Sequence, residues 1–178
     1  MKKTLKIAAL ILAIVFVVCA FAACGASGNN GDSNEADQTP AVKGETKTWG
    51  YFSVLVPEGY SLKGGDMLDE NDVSKCSVSK DDSMLTYMNF SVVDAETATN
   101  SLATTKEMNS EHGAADVTVD ANGTTWTGVA YDAYGTPCFQ GYATIGDNTV
   151  LITSAGNEYS SDIMNAVLAS ITVTVPAE

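Results

Sequence analysis

The chain has 178 residues, with 22 acidic residues against nine lysines and no arginine, which gives a formal net charge of −13 at pH 7. A nucleic-acid-binding surface needs clustered lysines and arginines, so this composition excludes nucleic acid as a partner. The same charge opposes direct adhesion to an anionic lipid surface. The length corresponds to one domain with its own hydrophobic core.

The chain begins with three lysines within its first six residues, and an unbroken apolar stretch runs from Ile7 to Ala23. Positive charge followed by an apolar segment and small residues is typical of a secretory signal. The apolar stretch is also at the lower limit of length for spanning a bilayer, so an uncleaved N-terminal membrane helix is the alternative.

The segment Phe21-Ala22-Ala23-Cys24 resembles the lipobox of bacterial lipoproteins, with Phe21 where an aliphatic residue is usual. The resemblance implies that residues 1–23 are a lipoprotein signal peptide and that the Cys24 thiol is lipidated with acyl chains such as palmitate. Two or more chains anchor a protein stably. We therefore expect a protein held at the cell membrane through this lipid anchor, on the extracytoplasmic face.

Residues 24–47 are rich in Gly, Ser, Asn, Asp and Thr and contain almost no large apolar side chain. Such a segment buries too little apolar surface to offset the entropy lost on ordering, so we predict a disordered linker. The folded domain is then expected over residues 48–178.

Alternation of apolar and polar residues predicts strands in the first half of this domain. We expect strands at 52–56, 75–79 and 84–93, the last with Met84, Met88, Phe90 and Val92 on one face, and an acidic loop at 64–72. Asp94 and Gly113 are suited to cap a helix over residues 95–112. The weakly apolar stripe of this helix consists of Ala98, Leu102, Thr105 and Met108.

In the second half, Asn122-Gly123 is a strong hairpin signal between two strands. Further strands are expected at 138–145, 149–154 and 171–175, and Ser160 or Ser161 would cap a second helix that turns Ile163, Met164, Val167 and Leu168 inward. Short turns between strands favour antiparallel pairing. The predicted fold class is α+β, a single domain with an antiparallel sheet of about seven strands flanked by two helices.

Two stretches resemble PsbP-like domains. Phe52–Tyr60, which reads FSVLVPEGY, is similar to their opening strand and turn, with Tyr60 in place of the usual Trp, and Ile163–Val173 is similar to their closing helix and strand. The resemblance covers the domain at 48–178. It implies an antiparallel sheet flanked by helices and a family of non-enzymatic accessory and partner-binding modules, and it brings no catalytic residues.

Cys76 and Cys138 both fall in predicted strands. An extracytoplasmic location permits a disulfide between them, and two free buried thiols are the alternative. His112 is the only histidine and lies at a polar helix end, where it favourably meets the helix dipole. Neither cysteine lies in a recognisable catalytic motif, so no catalytic residue is predicted.

The densest acidic cluster is Asp66, Asp69, Glu70 and Asp72. Calcium prefers six to eight oxygen ligands, often carboxylates on a loop. The spacing does not match an EF-hand, so Asp66, Asp69 and Asp72 are weak calcium candidates and a solvated acidic loop is the alternative. No metal or other cofactor is otherwise expected.

These patterns predict a non-catalytic accessory or protein-binding lipoprotein with an unidentified extracytoplasmic protein partner. The alternative is a lipoprotein that binds a small ligand or calcium, and a hydrolase is a distant third. The first function predicts that a deep enclosed pocket is lacking and that exposed apolar or aromatic side chains form a patch. A cavity of several hundred Å³ with convergent polar groups would favour the second.

Overall fold

The computed structural model describes residues 42–66 and 68–176. The signal peptide 1–23, the lipidation site Cys24 and linker residues 25–41 lie outside these described residues, so they stay predictions. Neither α-helix in the described part is long and apolar enough to cross a membrane.

The described residues form ten strands, two α-helices and one short 3-10 helix. The first five strands are β1 (Gly44–Trp49), β2 (Phe52–Pro57), β3 (Tyr60–Gly64), β4 (Lys75–Lys80) and β5 (Tyr87–Val93). They are followed by helix α1 (Ala95–Met108), the 3-10 helix (Ser110–His112), β6 (Ala115–Ala121), β7 (Thr124–Ala133), β8 (Thr136–Ile145) and β9 (Asn148–Ala155). Helix α2 (Asp162–Ser170) and β10 (Thr172–Val173) complete the domain.

Seven strands form one sheet in the order β3-β4-β5-β9-β8-β7-β6, and every neighbouring pair is antiparallel. Successive side chains in a strand point to opposite faces, so this sheet has a core face and an outer face. The core face carries the large buried side chains, among them Val78, Phe90, Trp126, Phe139 and Ile152. The predicted α+β class with an antiparallel seven-stranded sheet is confirmed.

The core face is covered by the small sheet β1-β2-β10 and by α2. Strand β2 contributes Phe52, whose ring centroid lies 6.5 Å from that of Phe90. Ser161 caps α2 by accepting a hydrogen bond from the Met164 backbone N–H at 3.3 Å. This cap orients the buried side chains of α2 (Met164, Val167 and Leu168) into the same hydrophobic core.

The outer face is covered over only part of its width, by α1. The helix begins at its N-cap Asp94, whose carboxylate accepts a hydrogen bond from the Thr97 backbone N–H at 2.7 Å. It connects β5, third in the sheet order, to the edge strand β6, so its path crosses β9, β8 and β7. The outer face of β3, β4 and β5 therefore receives no helix.

Helix α1 differs from its prediction at the C-terminal end. It stops at Met108 because Asn109 caps it: the backbone and side-chain N–H groups of Asn109 both donate to the Thr105 carbonyl. The 3-10 helix then occupies residues 110–112. Met108 is consequently 76% exposed and does not belong to the buried stripe, whereas Ala98 and Leu102 are buried as predicted.

Four strands also differ from their predictions. Met84 lies in a turn and is 96% exposed, because β5 begins only at Tyr87. Strand β1 begins at Gly44, inside the predicted linker 24–47, and its first five side chains are exposed. No strand was predicted where β3 lies, and the last strand, predicted over residues 171–175, covers only Thr172–Val173.

Cys76 and Cys138 do not form a disulfide, since both thiols are free. Cys76 lies on β4 and Cys138 on β8, and two strands, β5 and β9, separate them in the sheet. Three strand spacings amount to about 14 Å. A disulfide requires the two Cα atoms to approach within about 7 Å, so the sheet order prevents this pairing.

Candidate functional site

The uncovered half of the outer face forms a cavity of about 870 Å³, which we call the sheet cavity. Its volume lies within the range of about 300–1,000 Å³ that is typical of ligand pockets. It is lined by Trp49, Lys63, Gly64, Gly65, Asp66, Glu70, Asn71, Lys75, Cys76, Ser77, Asn89, Phe90, Ser91, Leu151 and Thr153.

The floor of the sheet cavity consists of outer-face side chains in two rows across the strands. The strand register aligns Lys63, Ser77, Asn89 and Thr153 in one row across β3, β4, β5 and β9. It aligns Lys75, Ser91 and Leu151 in the next row. The floor is thus mainly polar and is built on hydrogen-bonded strands, which hold its side chains in fixed positions.

The roof is the acidic loop between β3 and β4. Lys75 holds it through its ammonium group, whose Nζ lies 2.7 Å from Asp66 Oδ2 and 3.1 Å from Asp72 Oδ2. Asp66 also accepts hydrogen bonds from the backbone N–H groups of Leu68 and Asp69. The Lys75 hydrogen bond, followed by these backbone N–H groups, lowers the pKa of Asp66 to about 2. The pKa of Asp72 is lowered as well, first by hydrogen bonding to Ser74 and then by Lys75.

The carboxylates of the calcium candidates contact other groups of the loop. Asp66 and Asp72 share the Lys75 ammonium, which occupies the position between them, while the Asp69 carboxylate accepts from the Asn71 backbone N–H at 2.9 Å. Within the described ranges there is no group of three Asp, Glu, His or Cys residues that could hold a metal ion. The acidic spacing therefore reflects loop turns and a lysine counter-ion.

Trp49 bounds the sheet cavity at the end of β3, and its indole ring packs on the core side of this strand. The ring lies so close to Gly64 that a Cβ atom at that position would overlap it. Gly65 has φ +62° and abuts the backbone of Asp69 and Glu70, so glycine is also needed where the loop leaves β3. The two glycines allow the Trp49 ring and the roof to approach β3 closely.

Several polar side chains of the sheet cavity have no partner within the protein. In the described part of the chain, the side chains of Asn89, Ser91 and Thr153 make no hydrogen bond, whereas Gln140, in the same row as Thr153, bonds to Ser101 and Thr105 beneath α1. Asn89 is exposed to solvent. Under α1, the polar side chain of the outer face is therefore hydrogen-bonded within the protein. In the sheet cavity, the polar side chains of the same face are free to bond a ligand.

The sheet cavity does not contain a nucleophile with an adjacent base. Burial raises the pKa of the Cys76 thiol to about 12, which keeps it protonated. Burial also raises the pKa of Cys138, whose Sγ lies 3.6 Å from the Thr136 carbonyl oxygen. His112 lies in the 3-10 helix and contacts the ring of Tyr134 edge-on, with centroids 4.8 Å apart. The structure does not show a Cys–His pair among the described residues.

A second feature lies at the opposite end of the large sheet, and we call it the turn end: turns 57–59, 81–86 and 134–135, the 3-10 helix and residues 156–158. The Asp81 backbone N–H donates to the Gly59 carbonyl at 2.9 Å, and the Gly156 N–H donates to the Pro137 carbonyl at 2.9 Å. A Cβ at Gly156 would lie 2.6 Å from the Leu85 carbonyl oxygen. These contacts place the turns side by side.

The turn end combines exposed apolar side chains with negative charge. Met84 is 96% exposed, Tyr134 93% and Leu85 69%, and exposed Met108 lies beside the 3-10 helix. The exposed acidic residues of the turn end are Glu58, Asp81, Asp82, Glu111 and Glu158. Lys80, the last residue of β4, is paired with Asp82, with Nζ and Oδ1 3.7 Å apart. The turn end therefore exposes apolar side chains among acidic ones.

The comparisons with known proteins do not identify a family. No family model matches the chain, and no curated protein matches its sequence. A crystal structure from Bacteroides thetaiotaomicron VPI-5482 is similar with 11% identity and a TM-score of 0.46, covering 74% of this chain and 48% of that one. The chain therefore spans about half the length of the Bacteroides protein.

The solution structure of cyanobacterial PsbP (CyanoP) from Synechocystis sp. PCC 6803 is similar with 10% identity and a TM-score of 0.45. The match covers 80% of this chain and 98% of that chain. A PsbP protein is thus among the solved structures that this chain resembles, at values that leave membership of the PsbP-like family a prediction.

Sequence reasoning did not find the sheet cavity. Ser77, Asn89 and Thr153 alternate with apolar residues, as solvent-facing strand residues ordinarily do. The signal that distinguishes them is the order of strands in the sheet, which the local pattern does not contain. The exposed Met84 was likewise missed, because it extends the apolar alternation of β5 into the preceding turn.

Proposed function

We propose that this chain is a membrane-anchored, extracytoplasmic lipoprotein that acts without catalysis as a protein-binding module. The observation that carries the proposal is the turn end, where the large apolar side chains of Met84, Leu85 and Tyr134 are each exposed, on turns at one end of the sheet. Exposed apolar surface beyond scattered single residues favours an interaction site. A rim of carboxylates favours a partner whose own apolar patch is surrounded by lysines and arginines.

The attachment point of the predicted tether supports a partner at the membrane. The chain that leads from Cys24 enters the domain at Lys43, whose carbonyl accepts a hydrogen bond from the Glu58 N–H at 3.0 Å. Glu58 belongs to the turn end. A flexible linker of this length extends about 25 Å on average. Such a tether would keep the domain within reach of the extracytoplasmic part of a membrane protein.

Site-specific photo-crosslinking in native membranes tests the protein-binding function. Replacing Met84 with p-benzoylphenylalanine should give a discrete protein adduct, whereas the same replacement at Leu68 should not. Met84 and Leu68 are both 96% exposed, but Leu68 lies in the loop over the sheet cavity. Adducts of equal yield from the two positions, or from neither, would contradict the proposal.

The captured partner then allows a quantitative measurement. With its purified extracytoplasmic part, Met84→Ser combined with Leu85→Ser should weaken binding by at least tenfold, and Leu68→Ser should leave it unchanged. Raising the salt to about 0.5 M should also weaken binding, since screening then acts over a few Å. Binding that is unchanged both in the double variant and at high salt would exclude the turn end as the binding surface.

The anchor itself is tested by the intact mass of the protein from native membranes, for wild type and Cys24→Ala. A lipid-sized increment on a chain that starts at Cys24, lost in the variant, is the expected result. A full-length chain from Met1 without added lipid would instead indicate a single-span membrane protein.

A further inference from the structure

The sheet cavity has no role in the protein-binding function proposed above, and it lies at the other end of the sheet. Strand β3 starts at the turn end and finishes at Gly64, in the cavity wall. The hydrogen-bonding capacity of the cavity is open: Asn89, Ser91 and Thr153 direct an amide and two hydroxyl groups to it without a partner in the described chain. Groups of this kind both donate and accept.

The lysines that line the sheet cavity are Lys63 and Lys75, and its carboxylates are Asp66 and Glu70. The Lys75 ammonium is paired with Asp66 and with Asp72, which lies just outside the lining. Three carboxylates thus stand against two lysines. An anion would meet these carboxylates at a cost, whereas a neutral polar ligand needs no counter-charge.

The shape and the walls of the sheet cavity suit a flat, polar ligand. The polar row on β4, β5 and β9 extends over about 10 Å, which is about the length of a disaccharide. The side chain of Leu151, paired with Ser91 across the sheet, supplies apolar surface beside this row. The Glu70 carboxylate makes no hydrogen bond within the described residues, and carboxylates accept strongly from hydroxyl groups.

We propose that the sheet cavity is a binding site for a neutral saccharide of one or two sugar rings. Asn89, Ser91, Thr153 and Glu70 bond its hydroxyl groups, and the side chain of Leu151 contacts its C–H surface. Apolar lining with a few convergent polar groups is that of a small-ligand site rather than of a protein interface.

Calorimetric titration of the full chain tests this site with maltose, cellobiose and N,N′-diacetylchitobiose, and with glucose 6-phosphate as the anionic probe. At least one of the neutral disaccharides should bind saturably at millimolar concentration or below. Asn89→Ala and Thr153→Val should each weaken binding by at least fivefold, and Ser91→Trp, which fills the cavity, should abolish it.

A control variant makes the test specific. Thr127→Val removes the same hydroxyl from the same outer face, but from β7, outside the cavity, and should leave affinity within twofold. The melting temperature of each variant shows whether it is folded.

Two results would overturn the proposal. One is a folded chain that binds none of the three disaccharides at millimolar concentration. The other is glucose 6-phosphate binding that is more than tenfold tighter than that of the neutral sugars and is lost in Lys63→Met, which would make the cavity an anion site. Either result leaves the crosslinking test of the turn end unaffected.

Discussion

The two halves of the outer face of the large sheet share one register and the same alternation of side chains, yet they have opposite surroundings. Under α1, Val129 is 2% exposed and Gln140 8%, and Gln140 bonds to two helix hydroxyls. On β4 and β5, Ser77 and Asn89 occupy the same row as Gln140 but face the sheet cavity.

This difference arises from chain connectivity. Helix α1 leaves the end of β5 and travels to the far edge strand β6, so it covers only the strands that lie between them. The other half is covered by the acidic loop between β3 and β4, which lies over the sheet cavity and does not fill it. The helix-covered half thus contributes buried side chains to the fold, and the loop-covered half leaves polar side chains open to the cavity.

The largest expected effect lies in the helix-covered half. Leu102→Ala removes a buried side chain between α1 and the sheet, and it should lower the free energy of unfolding by about 3 kcal/mol. Met108→Ala, on the same helix but 76% exposed, should change it by less than about 0.5 kcal/mol. Urea denaturation measures both. Equal effects would show that α1 is not packed as described.

In the loop-covered half, the most sensitive position is Gly64. Gly64→Ala places a methyl group against the Trp49 indole, and such overpacking should cost about 2 kcal/mol. Combining it with Trp49→Leu should restore part of the loss, because the smaller side chain makes room. Urea denaturation of the single and double variants measures this coupling, and strictly additive losses would be inconsistent with the close contact.

A smaller effect is expected from the polar contact beneath α1. Thr105→Val removes the hydroxyl that donates to Gln140 Oε1 at 2.8 Å, and it should cost about 1 kcal/mol. Thr104→Val, at the neighbouring exposed position, is the matched control and should be nearly neutral. The same denaturation measurement applies, and a loss of equal size in both variants would indicate a change in helix propensity instead.

The smallest effect concerns the ion-paired roof and appears as a pH dependence. Folding lowers the pKa of Asp66 from its ordinary 3.8 to about 2, so its stabilising contribution is present above about pH 4 and is lost as the pH falls towards 2. Lys75→Met removes the main cause of this shift. Its melting temperature should therefore decline less than that of wild type between pH 4 and pH 2.

Lys63→Met serves as the control for this measurement, because Lys63 has no carboxylate within 4.0 Å in the described part of the chain. It should follow the wild-type pH profile. An unchanged profile for Lys75→Met would show that the backbone N–H groups alone hold the Asp66 pKa low.

Local chemistry made much of the fold predictable from the sequence. The Asn122-Gly123 turn has φ values of 51° and 82°, as a tight hairpin requires, and Asp94 caps α1 as expected. Strand β1 was not predicted because its first five side chains are exposed, so its sequence has no apolar alternation. Backbone hydrogen bonds to β2 hold it in place.

The sheet cavity could not be predicted for a different reason. Asn89 and Thr153 are 64 positions apart in the sequence and become neighbours only because β9 inserts beside β5. The acidic loop was visible in the sequence, but the Lys75 ammonium that joins Asp66 to Asp72 was not. Long-range pairing, rather than any local motif, creates the candidate site.

The placement of β1 has a mechanical consequence for a tethered domain. Strand β1 is the edge strand of the small sheet and is joined to β2 by an antiparallel ladder from Gly44–Pro57 to Trp49–Phe52. Drag on the domain would reach the fold through the first residue of this strand. A force along the strand loads all hydrogen-bonded pairs of the ladder in shear at once. A force perpendicular to the strand breaks these pairs one at a time. The direction of the tether would thus decide how much force the domain withstands before it unravels.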